Sequence, residues 1–253
     1  MSTTATTHAD THDHVAPADA VKGSATDPLF YGRPQLLDSQ VHAHWRVVQG
    51  DAAFAAGTNA VPLMASEFVE AARHYPVVFA GVDHVPVAVL GMGGGNRFIT
   101  DGIWTPGTYV PAYVRRYPFV FAEVQGGFAL AADADAPMLR AEGEEGAPLF
   151  ENGQPSDITR NALQFCDAFT RESAVTRELS VALGESGLLV DRVATLTPAT
   201  GNASTLNGFA VIDADAFAAL PDAVVVEWHR KGWLRLIHAH LGSLARFPDL
   251  LEK

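Results

Sequence analysis

Cysteine is nearly absent from this chain, with Cys166 the only one in 253 residues. No intramolecular disulfide can form, and no thiolate-rich zinc or iron–sulfur site can be assembled within the chain, so a reducing compartment is permitted. Long apolar runs are missing too: no stretch approaches the roughly 20 residues that a membrane-spanning helix needs. The first 27 residues have no positively charged start followed by an apolar run, which predicts no cleaved secretory signal. The expected address is therefore cytoplasmic, with the cell surface, reached without a cleaved signal, as the alternative. Basic residues are scarce. Lys and Arg number 17 against 29 Asp and Glu, giving a net charge of −12 and a pI near 5.1. With no cationic run to displace counterions, nucleic acid and anionic membrane surfaces are excluded as expected partners.

The common catalytic signatures are missing as well. No Gly-x-Ser-x-Gly elbow, His-Glu-x-x-His helix or Cys-x-x-Cys pair occurs. Gly91-Met92-Gly93-Gly94-Gly95-Asn96 has the composition of a phosphate-cradling loop, but such a loop must open into a helix. Here Arg97 to Gly102 reads as a strand and turn, so the glycines read as a structural turn. No cofactor is indicated.

What is present suffices for one sizeable core: 48% of residues are hydrophobic. Residues 1–27, rich in Thr, Ala, Asp and His, lack apolar periodicity and read as a flexible tail, with His8, His12 and His14 solvated. Residues 28–253 read as one domain. Val61 to Ala65 reads as a strand, with Ser66 capping a helix from Glu67 to about Tyr75. Val77 to Val82 with Pro86 to Leu90, and Phe119 to Val124 with Phe128 to Ala132, read as two β-hairpins. A helix is expected from Asp157 to Gly184 behind Pro155-Ser156, its apolar stripe including Phe165, Cys166 and Phe169. Strands near Val193 to Leu196 and Phe209 to Ile212, a short helix capped by Asp213, and a last long helix from about Val224 to Arg246 complete the chain. The predicted class is α+β: a mainly antiparallel sheet built from hairpins, packed with two long helices in the C-terminal half.

Two sets of residues carry candidate chemistry. His42 and His44, if on a strand, share a face and with His240 suggest a metal site. The helical spacing of His238 and His240 lets at most one of that pair join. The second set is Trp104, Tyr109, Tyr113, Arg115, Arg116 and Tyr117, where two arginines lie among aromatics. Guanidinium groups bind carboxylate or phosphate and stack on rings, so this stretch suggests an anion or peptide-terminus pocket. Pairing of both arginines with the protein's own carboxylates is the competing account. The acidic residues from Asp133 to Glu145 match no calcium loop and read as a solvated face.

The run from Tyr109 to Phe119, Tyr-Val-Pro-Ala-Tyr-Val-Arg-Arg-Tyr-Pro-Phe, is similar to the central motif of the SapC family. Further blocks agree in order: Val61-Pro62 with Glu67-Phe68, Tyr75-Pro76-Val77-Val78-Phe79, Asn96-Arg97-Phe98 leading to Asp101-Gly102-Ile103-Trp104, Pro148-Leu149-Phe150 with Asn152-Gly153, and Ala239-His240-Leu241 with Ser243-Leu244. Together they span about Pro28 to Lys253. Gly95 and Arg97 depart from common usage, where an acidic residue and a leucine are expected. The resemblance implies a bacterial accessory protein, non-catalytic or associated with a surface layer, with a peptide, protein or glycan ligand. It carries no catalytic set. The alternative is a metal-dependent or peptide-modifying enzyme with its pocket near Arg115 and Arg116 or His44 and His240.

Overall fold

The computed structural model describes residues 19–20, 29–197 and 203–251. The expected tail lies outside the described residues, except that Asp19–Ala20 pair in parallel with Leu206 and Asn207. The remainder is α+β, and every other strand pair is antiparallel.

The central sheet contains β2 (Ala60–Pro62), β3 (Val77–Ala80), β4 (Val85–Val89), β7 (Leu189–Leu196) and β8 (Ser204–Ile212). Its order is β7-β8-β3-β4-β2. All four residues of β3 are buried, as expected for a strand covered on both faces, and its alternation sorts them. Val77 and Phe79 join a cluster with Phe68, Leu179, Leu183 and Ile237, while Val78 and Ala80 join Val87, Leu206 and Phe209 on the other side.

The second hairpin belongs to a different sheet. β5 (Phe119–Val124) and β6 (Gly127–Asp133) pair with each other, and β1 (Pro34–Leu36) adds to β6. A third cluster lies beneath, where Phe119, Leu130 and Ala132 meet Leu149, Ala162 and Cys166.

The helix α3 (Asp157–Ser186) spans two of the clusters, with Ala162 and Cys166 at one end and Leu179 and Leu183 at the other. Ser156 caps it by accepting from Thr159 N–H, and Gly187, in the left-handed region at φ 71°, ends it. Thr176 on α3 accepts a 2.8 Å hydrogen bond from Ala65 N–H.

Two local expectations are corrected. Ser66 does not cap the first helix: a 3-10 turn over Ala65–Glu67 leads into a short α1 (Phe68–Ala71), and Glu67 Oε2 accepts from Met64 N–H at 2.8 Å. The last long helix is split, because Gly232 at φ 74° separates α5 (Asp222–Arg230) from α6 (Trp233–Ser243), which continues as a 3-10 turn over Leu244–Leu250. Asp213 does cap the short α4 (Ala214–Ala218), accepting from Asp215 and Ala216 N–H.

The glycine run doubles back on itself, since Arg97 N–H donates to Leu90 O at 2.9 Å. A Cβ on Gly91 would lie 2.1 Å from Gly95 O, which is why that position excludes any side chain. The turn leads into a small hairpin, Ile99–Thr100 with Ile103–Trp104, and not into a helix.

Candidate functional site

The proposed metal ligands do not meet. His42 and His44 lie in a turn, not on a strand; His42 is buried and His44 exposed. The His42 Nδ1 accepts from Asp38 N–H at 3.0 Å, and its ring stands edge-on to Trp45. His240 is fully buried between α6 and the central sheet. Its Nε2 accepts from Ile212 N–H at 3.0 Å, so the proton sits on Nδ1, which donates to Val77 O at 2.7 Å. Both of its nitrogens are thus committed to backbone. Burial pushes its pKa down to about 4 despite the Val77 bond. Among the described residues no group of three His, Cys, Asp or Glu side chains is arranged to hold a metal ion.

The aromatic and arginine stretch does converge. Pro111 leads into α2 (Ala112–Arg115), and Glu67 fixes the entry: its Oε1 accepts from Ala112 N–H at 2.7 Å and from Tyr109 OH at 2.8 Å. Burial, with Glu67 alongside, pushes the Tyr109 phenol up to about 12, so it is a donor at neutral pH. Trp104 Nε1–H donates to Tyr75 OH at 3.2 Å, and Tyr75 OH donates to Tyr109 O. Trp104 therefore buttresses the segment from behind.

Tyr117 is anchored on the other side, donating from its OH to Asp133 Oδ2 at 2.9 Å. Asp133, nearly fully buried, also accepts from Gly32 and Arg33 N–H. Burial alone would raise the Asp133 carboxyl; those backbone donors and Tyr117 outweigh it and hold the group below the ordinary carboxylate range.

Between these anchors Arg115 and Arg116 line an open cleft of about 430 Å³. Its opposite walls come from Val47 to Phe54, from Met138, and from α3 through Ile158, Asn161, Phe165 and Cys166. Arg116 lies in an aromatic corner: its guanidinium carbon is 4.2 Å from the Tyr113 ring centre and 4.3 Å from that of Phe169, two rings inclined at 61°. Tyr31 adds a third ring at 5.7 Å. Arg116 Nε is buried without a hydrogen-bond partner among the described residues. Arg115 donates from Nε to Val110 O and from Nη2 to Tyr109 OH, and lies 5.4 Å from the Phe165 ring centre. The ion pairs among the described residues engage Arg33, Arg73, Arg160, Arg171, Lys231 and Arg246, and neither Arg115 nor Arg116. Pairing with the protein's own carboxylates is thus not realised among the described residues.

Cys166 borders the cleft but is 3% exposed, and burial pushes its thiol up to about 11. At neutral pH it stays a thiol, a poor nucleophile packed as a small apolar group. Sequence reasoning missed Asp51, Asn161 and Phe165 as cleft residues, and Phe169 as a ring against Arg116. The two phenylalanines had a signal, since they stand four apart on the helical stripe; the other two had none, because only the tertiary fold brings them here.

Fold and cleft together describe an α+β protein with a cationic recess on an acidic body, lacking a metal cluster among the described residues. The chain belongs to the SapC family, whose model matches residues 37–250. No curated protein and no solved structure matches it. No helix among the described residues is long and apolar enough to cross a membrane.

Proposed function

We propose that this SapC-family chain is a non-catalytic accessory binding protein that takes an anionic group of a peptide, protein or glycan partner in the cleft at Arg115 and Arg116. One observation carries the reading. In a chain of net charge −12, two adjacent arginines line one cleft, and among the described residues neither has a carboxylate within ion-pair distance. A cation held by rings and backbone carbonyls is already oriented, so an arriving anion costs little further ordering of the site. Trp104, Tyr109, Tyr113 and Tyr117 serve as supports for the two arginines.

Calorimetry on the full chain tests this with N-acetyl-leucine, a phosphoserine peptide and glucuronic acid as probes. At least one anion is expected to bind, and Arg115→Ala with Arg116→Ala to weaken it by about tenfold or more. If no probe binds, or if a folded double variant binds as the parent does, the arginines are structural and the reading fails.

A further inference from the structure

The cleft is more selective than an arginine pair on an open surface would be, and its walls define the ligand. The charged residues among those lining it are Arg115, Arg116 and Asp51. Asp51 is held there by the bond from Ala53 N–H to its Oδ1, at 2.9 Å. Two guanidinium charges against one carboxylate leave a single positive charge. That matches a monoanion; a phosphate dianion would overcompensate it and meet Asp51 besides. The rest of the wall is largely apolar, with Val47, Phe54, Met138, Ile158 and Phe165 among the residues that line it. A volume of about 430 Å³ falls in the lower part of the roughly 300–1,000 Å³ range of small-molecule sites. It has room for one apolar group behind a charged head.

We infer that the cleft binds a carboxylate carried on an apolar body, the head at Arg115 and Arg116 and the body along Phe54, Met138, Ile158 and Phe165. This rests on the anion-binding reading above and narrows it. Two sources offer that chemistry, a free apolar acid and the C-terminal residue of a partner chain. The arginines recognise the carboxylate and the wall recognises what it is attached to.

The test is calorimetry on the full chain with octanoate, acetate, octanol and octyl phosphate. A glycine-serine pentapeptide ending in leucine completes the set, as the free acid and as the amide. Octanoate, the free-acid peptide or both are expected to bind at least about tenfold more tightly than acetate, octanol and the amide. Binding by the peptide acid alone assigns the ligand to a chain terminus; binding by octanoate alone assigns it to a free acid. Arg115→Gln, at an exposed position, is expected to weaken binding by about tenfold. Asn161→Glu, also exposed, should weaken it several-fold by turning the net charge of the site to zero. Neither disturbs the core, and circular dichroism checks their fold. If octyl phosphate equals or exceeds octanoate, or acetate matches it, the inference falls while the anion-binding reading stands. If no anion binds, both fall.

Discussion

A buried imidazole with both nitrogens occupied is a liability in acid, and His240 is one. Its folded pKa of about 4 lies below the ordinary value of 6.5. Between those two values the unfolded chain binds a proton that the folded chain refuses, so stability rises with pH across that window. The contribution is complete above about pH 6.5 and is lost as the pH falls toward 4, amounting to roughly 3 kcal/mol. The mechanism is specific: a proton on Nε2 removes the acceptor for Ile212 N–H. Urea unfolding of the parent and of His240→Gln between pH 7.5 and 4.5 is expected to show a shallower loss in the variant; equal slopes would assign the acid sensitivity elsewhere. At this scale the sequence was half legible. That His238 and His240 stand on a helix and cannot share one ion followed from spacing, and the structure has both on α6. The two backbone partners of His240 come from strands far away in the chain, and nothing local encodes them. His42 and His44 were misread for the opposite reason, since alternation has meaning only if the segment is extended, and there it turns.

Elements here are joined by single polar side chains buried at their ends. Glu67 links the entry of α1 to the entry of α2 by accepting from Met64 N–H, Ala112 N–H and Tyr109 OH. Glu67→Ala leaves those three donors unsatisfied in a buried setting, each costing about 1–3 kcal/mol, so a loss of about 3 kcal/mol or more is expected in chemical denaturation. Because Tyr109 in turn contacts Arg115, the same variant is expected to weaken anion binding, which calorimetry on its folded fraction checks. A drop of less than 1 kcal/mol would show that water replaces the carboxylate. Both hairpins, α3 and the Asp213 cap were readable because each has a local cause: alternation, a capping serine, a turn. The break at Gly232 was not, because a lone glycine within a helical pattern is compatible with continuation and only the packing of α5 and α6 decides. Ser66 looked like a cap by residue type, whereas the carboxylate next to it performs the work.

For the molecule as a whole, the class was legible and the sheet assignment was not. Two similar hairpins suggested one sheet, yet β3 and β4 join the C-terminal β8 while β5 and β6 join β1. Which hairpin joins which sheet depends on contacts between distant segments, and periodicity carries no such information. We propose that residues 28–253 behave as one unit. After mild proteolysis, any fragments cut internally are expected to co-elute under native conditions and to separate only in denaturant. Release of an independently folded half would overturn the single-unit proposal. The placement of β8 has a further consequence for biosynthesis. While the ribosome is still adding residues before Phe209, β3 lacks one flank, because Phe209 and Ala210 supply its pairing with Phe79 and Ala80. The growing polypeptide therefore carries an unfinished, wholly apolar strand until Phe209 and Ala210 emerge. Until then its open edge is a place where a nascent chain can pair wrongly, and where a chaperone has something to cover.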